Sequence, residues 1–103
     1  MTTKHTPGPW NAEPMIRDHG FPCTPVMATT LIARVYSTAF GDDEQSLANA
    51  ALIAAAPRML EALKKEQEWR DREAAGELDD GWDYETMVGQ YRRAAIAQAE
   101  GHQ

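Results

Sequence analysis

The rhythm of apolar and polar positions changes twice along this chain. Trp10 to Arg17, "WNAEPMIR", reads as a weak strand broken at Pro14, because proline cannot donate to a strand ladder. "DHGFPCTP" (18–25) carries Gly20, Pro22 and Pro25 and predicts a loop. Val26 to Tyr36, "VMATTLIARVY", is rich in β-branched residues. Leu31, Ala33 and Val35 alternate in it with Thr30, Ile32 and Arg34, which predicts a second strand. The two strands pair as an antiparallel hairpin over 10–36. Such a hairpin is marginal in water and needs a layer of helices.

The period then lengthens. Asp42 or Asp43 can cap a helix that begins in "EQSLANAALIAAA", with Glu44 in its first turn. Leu47, Ala51, Leu52 and Ala55 form its expected inner face. Pro57 breaks that helix and opens a second, "PRMLEALKKEQEWRDREAA", with Leu60 and Leu63 turned inward and Glu61–Lys65 as an i,i+4 pair. Gly76 ends it. "YETMVGQYRRAAIAQAE" is the last helix, capped by Asp83 and stopped at Gly101. Its apolar stripe is Tyr84, Met87 or Val88, Tyr91 and Ala95. The fold class is therefore α+β: a two-stranded hairpin packed on two to three helices in one small domain. An extended arm covers 1–9, the hairpin 10–36, helices one and two 43–75, an acidic connector 76–83 and the C-terminal helix 84–100.

Composition sharpens this picture in one place. The net charge of −6 resides in Asp71–Glu85, which holds seven acids against one base, Arg72; the remainder is neutral. A solvated loop is the plain reading of that run, and a net negative chain argues against direct nucleic-acid binding. There is no apolar run long enough for a membrane span and no secretory signal at the N-terminus, so the cytoplasm is the expected compartment. One cysteine, Cys23, forms no internal disulfide, and His5, His19 and His102 lack ligand spacing, so neither a metal nor a cofactor is expected.

The arm "HTPGPW" (5–10) places two prolines before Trp10. The prolines stiffen the unfolded arm, and Trp10 can bury on the order of 200 Å² against the helices. Its expected role is a core staple, largely buried against the helices, with a ligand-stacking ring as the alternative. Together, "HTPGPW", "IARVY" (32–36) and "ANAALIAAAPRMLEALK" (48–64) resemble a group of small phage and prophage proteins, including the Ead-like early-region proteins. These start with a similar arm and reach a similar alanine-rich helix. The resemblance covers about half the chain and stops near Arg70. At the level of architecture the chain also looks like the small phage Thoeris anti-defence and anti-CBASS proteins. That likeness implies sequestration of a cyclic nucleotide immune signal, a counter-defence role without catalysis.

The residues themselves supply no catalytic set. GxGxxG, P-loop, GxSxG and HExxH patterns are all missing from the chain. "DDGWDYE" (79–85) lacks the alternating spacing of a calcium loop. Cys23 between prolines could be a nucleophile or merely a small loop residue. Binding chemistry is better supplied. Tyr91, Arg92 and Arg93 adjoin on the last helix, and Arg58, with Lys64 and Lys65, lies on the second. Guanidinium forks beside an aromatic face suit phosphate and base recognition. The same arginines can instead neutralise surface carboxylates, the connector's above all. Leu47, Leu52 and Ile53 point to more than one face of the first helix, so a homo-oligomer is expected, with a small anionic nucleotide bound between subunits. The alternatives are a protein–protein inhibitor acting through the acidic connector and a structural accessory without ligand.

Overall fold

A computed structural model describes residues 5–18, 20–36 and 43–101. Asp42 as an alternative cap, the turn at 37–41, His19 and His102 lie outside them. The architecture is α+β, as the patterning predicts: a four-stranded antiparallel sheet and three helices in a body of 58 × 28 × 17 Å.

The sheet corrects the expected hairpin. Strands β1 (Asn11–Ala12) and β2 (Ile16–Asp18) both pair antiparallel with β3 (Phe21–Met27), whose other edge pairs with β4 (Leu31–Tyr36). β1 and β2 are one edge strand interrupted around Pro14, with the register slipping by one residue between Ala12↔Val26 and Ile16↔Cys23. The supposed loop 18–25 supplies most of the central strand, and Val26–Tyr36 is not one strand but the end of β3, a turn and β4. Proline in a central strand costs a ladder hydrogen bond. Pro25 limits that cost. Its carbonyl accepts from Glu13 N at 2.9 Å, so its missing N–H faces the same edge, where the broken strand needs least pairing.

Thr24 and Val26 project from one face of β3 toward α1 (Asp43–Ala54). There Val26 meets Ala50 and Ala54, all buried, with Trp10, Ile32, Ala33 and Val35 around them. The inner face of α1 is Ser46, Ala50 and Ala54, spaced by four; of the expected Leu47, Ala51, Leu52 and Ala55, Ala55 is buried and Ala51 half-buried, but Leu47 and Leu52 are exposed. Small residues win this face because a helix must come close to lie on a sheet edge this narrow. Ser46 Oγ donates to Val35 O at 3.1 Å, so its single proton is used and Thr24 Oγ1, 3.4 Å away, donates to it.

Ala55 keeps helical dihedrals, so α2 (Ala56–Ala74) follows α1 end to end with Pro57 in its first turn. Among the described residues α2 touches no strand; it packs on the third helix. Its covered face carries Ala62, buried, with Arg58, Lys65, Trp69 and Arg72 half-buried. Leu60 and Leu63, expected inside, are 37% and 67% exposed. The sheet that would have buried them ends under α1. Gly76, at φ +70°, closes α2, with Glu77 N donating to Arg72 O at 2.8 Å. The third helix opens as a π-helical turn, Glu85–Gly89, and continues as α3 (Gln90–Ala99). Val88 and Ala95 are buried on it, and Tyr84, Met87 and Tyr91 are half-buried, as its stripe predicts. The Asp83 carboxylate accepts from Thr86 Oγ1 at 3.1 Å rather than from a backbone N–H.

The arm is fixed at three points. A Cβ on Gly8 would lie 2.7 Å from Pro57 Cβ, so only glycine allows that approach. Trp10 Nε1–H donates to Thr6 O at 3.1 Å, and Trp10 O accepts from Gln98 Nε2 at 2.7 Å. Trp10 packs on the core but is half-buried, not enclosed.

Candidate functional site

α2 presents a row of cations spaced by seven: Arg58, Lys65 and Arg72. Seven residues are nearly two helical turns, so the row runs straight along the face toward α3. Trp69, four residues after Lys65, stands beside the row. From α3 and its π-helical turn come Tyr91, Met87 and Thr86. Lys65, Glu68, Trp69, Arg72, Thr86, Met87 and Tyr91 enclose a cleft of about 70 Å³. Lys65 Nζ sits 5.0 Å above the Tyr91 ring, and Arg72 lies 4.9 Å over the Trp82 ring while reaching Glu68 at 3.3 Å.

A wider groove of about 440 Å³ opens on the other side of Lys65. The arm forms one wall with His5, Pro7 and Gly8; α2 forms the other with Pro57, Leu60, Glu61, Lys64, Lys65 and Glu68. Lys65 and Glu68 line both spaces and form the wall between the groove and the aromatic cleft.

The four residues singled out in the sequence do not gather into one cluster. Tyr91 lies in the cleft. Arg58 shares its helix face but stands seven residues from Lys65, about 10 Å along the axis. Arg93 is paired with Glu85, whose carboxylate folds back over Gly89. Arg92 lies beside Glu66 and Tyr84. Consecutive helix positions diverge by about 100°, which is why adjacent arginines reach different carboxylates. Arg93 is thus engaged by the C-terminal end of the acidic segment, the neutralising role that the sequence left open.

Glu66 gathers the polar contacts of this end. It accepts from the Tyr84 hydroxyl and from Arg70 Nε at 2.9 Å. The Tyr84 hydrogen bond, aided by Arg70 and Arg92, holds its carboxyl below the ordinary range against the opposing effect of burial. The same bond raises Tyr84. Trp69 meets Tyr84 edge-on at 5.4 Å. Trp69 and Arg72 were missed from sequence; the signal was the seven-residue recurrence of Arg58, Lys65 and Arg72. Among the described residues no cluster of three His, Cys, Asp or Glu side chains could hold a metal, and no helix is long and apolar enough to cross a membrane. Cys23 is fully buried in β3, closed to any substrate.

Over residues 1–103 the chain matches the family model described as Salmonella phage P22 protein Y8K6. It belongs to that phage protein family. No curated protein and no solved structure matches it.

Proposed function

We propose that this phage protein is a non-enzymatic counter-defence binder, which sequesters a small anionic nucleotide of the cyclic immune-signal type in the host cytoplasm. The observation that supports the reading is the shared wall at Lys65. It is common to a groove of about 440 Å³, within the range of ligand sites, and a cleft faced by Tyr91 and Trp69. Phosphates would lie against Lys64, Lys65 and His5, and a base would enter toward Tyr91. The base must lift Lys65 from the Tyr91 ring. An exposed cation–π contact is worth about 0.5–1 kcal/mol, less than the roughly 1.5–3 kcal/mol of a charge-assisted bond to phosphate, so the exchange favours the ligand. The Ead-like likeness of the arm and alanine-rich helix fits a phage early-region role for such a binder.

Calorimetric titration with cyclic dinucleotides, cyclic trinucleotides and cyclic ADP-ribose isomers tests this. Binding should weaken with salt and disappear in Lys64→Ala/Lys65→Ala at an unchanged melting temperature. Heats equal to dilution across the whole series would end the nucleotide reading.

A second reading has its own support. Glu73, Glu77, Asp79 and Asp80 are exposed around an ordered turn, Trp82 N to Asp79 O at 3.0 Å, and make no ion pair among the described residues. Such a face suits inhibition of a basic host protein. Capture of a host protein that is lost in Asp79→Lys/Asp80→Lys, with no nucleotide bound, would favour it.

A further inference from the structure

Helical spacing gives the aromatic cleft a wall of mixed polarity. Glu68 and Arg72 stand four residues apart on α2, and Arg72 Nη2 lies 3.3 Å from Glu68 Oε1. Both line the cleft, where Trp69 and Tyr91 flank them. The pair is loose, with the Glu68 and Arg72 side chains 48% and 39% exposed, so either group can turn to a ligand at little cost. A carboxylate is out of place beside a phosphate site, because it repels the anion that Lys64 and Lys65 attract. It fits there if it meets N–H donors of the same ligand. A carboxylate only accepts and a guanidinium only donates. Side by side they complement a base edge with one acceptor and two adjacent donors. Guanine has that edge: O6 accepts, while N1–H and the N2 amino group donate. Adenine presents a donor at N6 and an acceptor at N1, the reverse at both positions.

We propose that Glu68 and Arg72 make this site selective for guanine over adenine, with Arg72 donating to O6 and Glu68 accepting from N1–H and the N2 amino group. The inference rests on the nucleotide reading above and adds the identity of the base. Glu68 keeps its contact with Arg72, because a carboxylate has about four lone-pair sites and the base uses two. A cleft of about 70 Å³ takes the edge of a base rather than a whole nucleotide, so the edge is where the ligand is read. Lys64 precedes Glu68 by four residues, about 6 Å along the axis, so phosphate and base edge are met on successive turns of one helix. The Trp82 ring, 4.9 Å from the Arg72 guanidinium, holds that group at the cleft. Glu61, the other acid of the groove, does not line the cleft and has no part in the selection.

Calorimetric titration of the full chain with the cyclic dinucleotides of guanosine, adenosine and inosine tests the assignment. The guanine ligand should bind about tenfold or more tighter than the adenine ligand, the discrimination given by one bidentate contact. The inosine ligand, which lacks the N2 amino group, should fall between them. Glu68→Gln keeps the shape of the side chain and replaces one acceptor oxygen by a donor. It should weaken guanine binding about tenfold and leave adenine binding equal or tighter, since it also removes a charge that repels phosphate. A loss of folding would instead lower both together. Equal affinity for guanine and adenine in the parent, or a Glu68→Gln variant that keeps the parent's preference, would overturn the assignment and leave the nucleotide reading standing. Heats equal to dilution from all three ligands would overturn it too, and the cyclic trinucleotides and cyclic ADP-ribose isomers would then decide the nucleotide reading separately.

Discussion

The two ends of this molecule are held by different physics. At the sheet end, α1 lies on β3 through Val26, Ala50 and Ala54, and the largest fully enclosed side chain there is a valine. Close approach of small residues and a buried Thr24–Ser46–Val35 hydrogen-bond chain take the place of bulk. At the connector end Val88 is enclosed as well, but the large aromatic rings are not. Trp69 meets Tyr84, Arg72 covers Trp82, Lys65 covers Tyr91, and each ring remains half-buried. The first end loses stability when a volume changes. The second is a set of weak surface contacts, each of which costs little to open.

Substitutions at the two ends should therefore separate widely. Trp10→Ala should be the most damaging, about 3 kcal/mol by thermal or urea unfolding. That is the low end for a large aromatic, because Trp10 is only half-buried, although it also positions the arm. Ala54→Leu should cost about 2–3 kcal/mol by overpacking the contact with Val26. A variant as stable as the parent would mean that α1 does not sit tightly on β3. Ser46→Ala should cost about 1–2 kcal/mol, since it removes the acceptor of the buried Thr24 hydroxyl and the donor to Val35 O. At the connector end, Arg72→Gln should cost about 0.5 kcal/mol, the scale of an exposed cation–π contact. A loss as large as that of Ser46→Ala would erase the contrast between the ends.

The smallest effect is one of pH. Glu66 is held below the ordinary carboxylate range in the fold, so its contribution is present above about pH 4 and is lost as pH falls through its lowered value. Tyr84 is raised, so its contribution is present below about pH 10 and is lost as pH rises through its raised value. Tyr84→Phe removes the hydrogen bond behind both shifts. Melting temperatures followed against pH should decline less steeply at both extremes than in the parent. Identical acid limbs would show that Arg70 and Arg92 alone hold Glu66.

Local chemistry made part of this structure legible in advance. Pro57 at a helix start, Gly76 and Gly101 with positive φ at helix ends, and the Tyr84–Val88–Tyr91–Ala95 stripe all depend on residues near in sequence. So does the break at Pro14. The α+β class followed from the change of period. What local chemistry left open were the choices among faces. Leu60 and Leu63 look like inner residues, and Pro22 and Pro25 look like a loop, until it is known where the sheet ends and which edge of β3 lacks a regular partner. Arg92 and Arg93 look like a pair until Glu66 and Glu85 are seen to draw them apart. Turns and caps are set by dihedral preferences over a few residues. The inward face of a helix is set by what lies across from it, and that is supplied by elements distant in sequence, so tertiary structure alone decided which leucines, prolines and arginines met a partner.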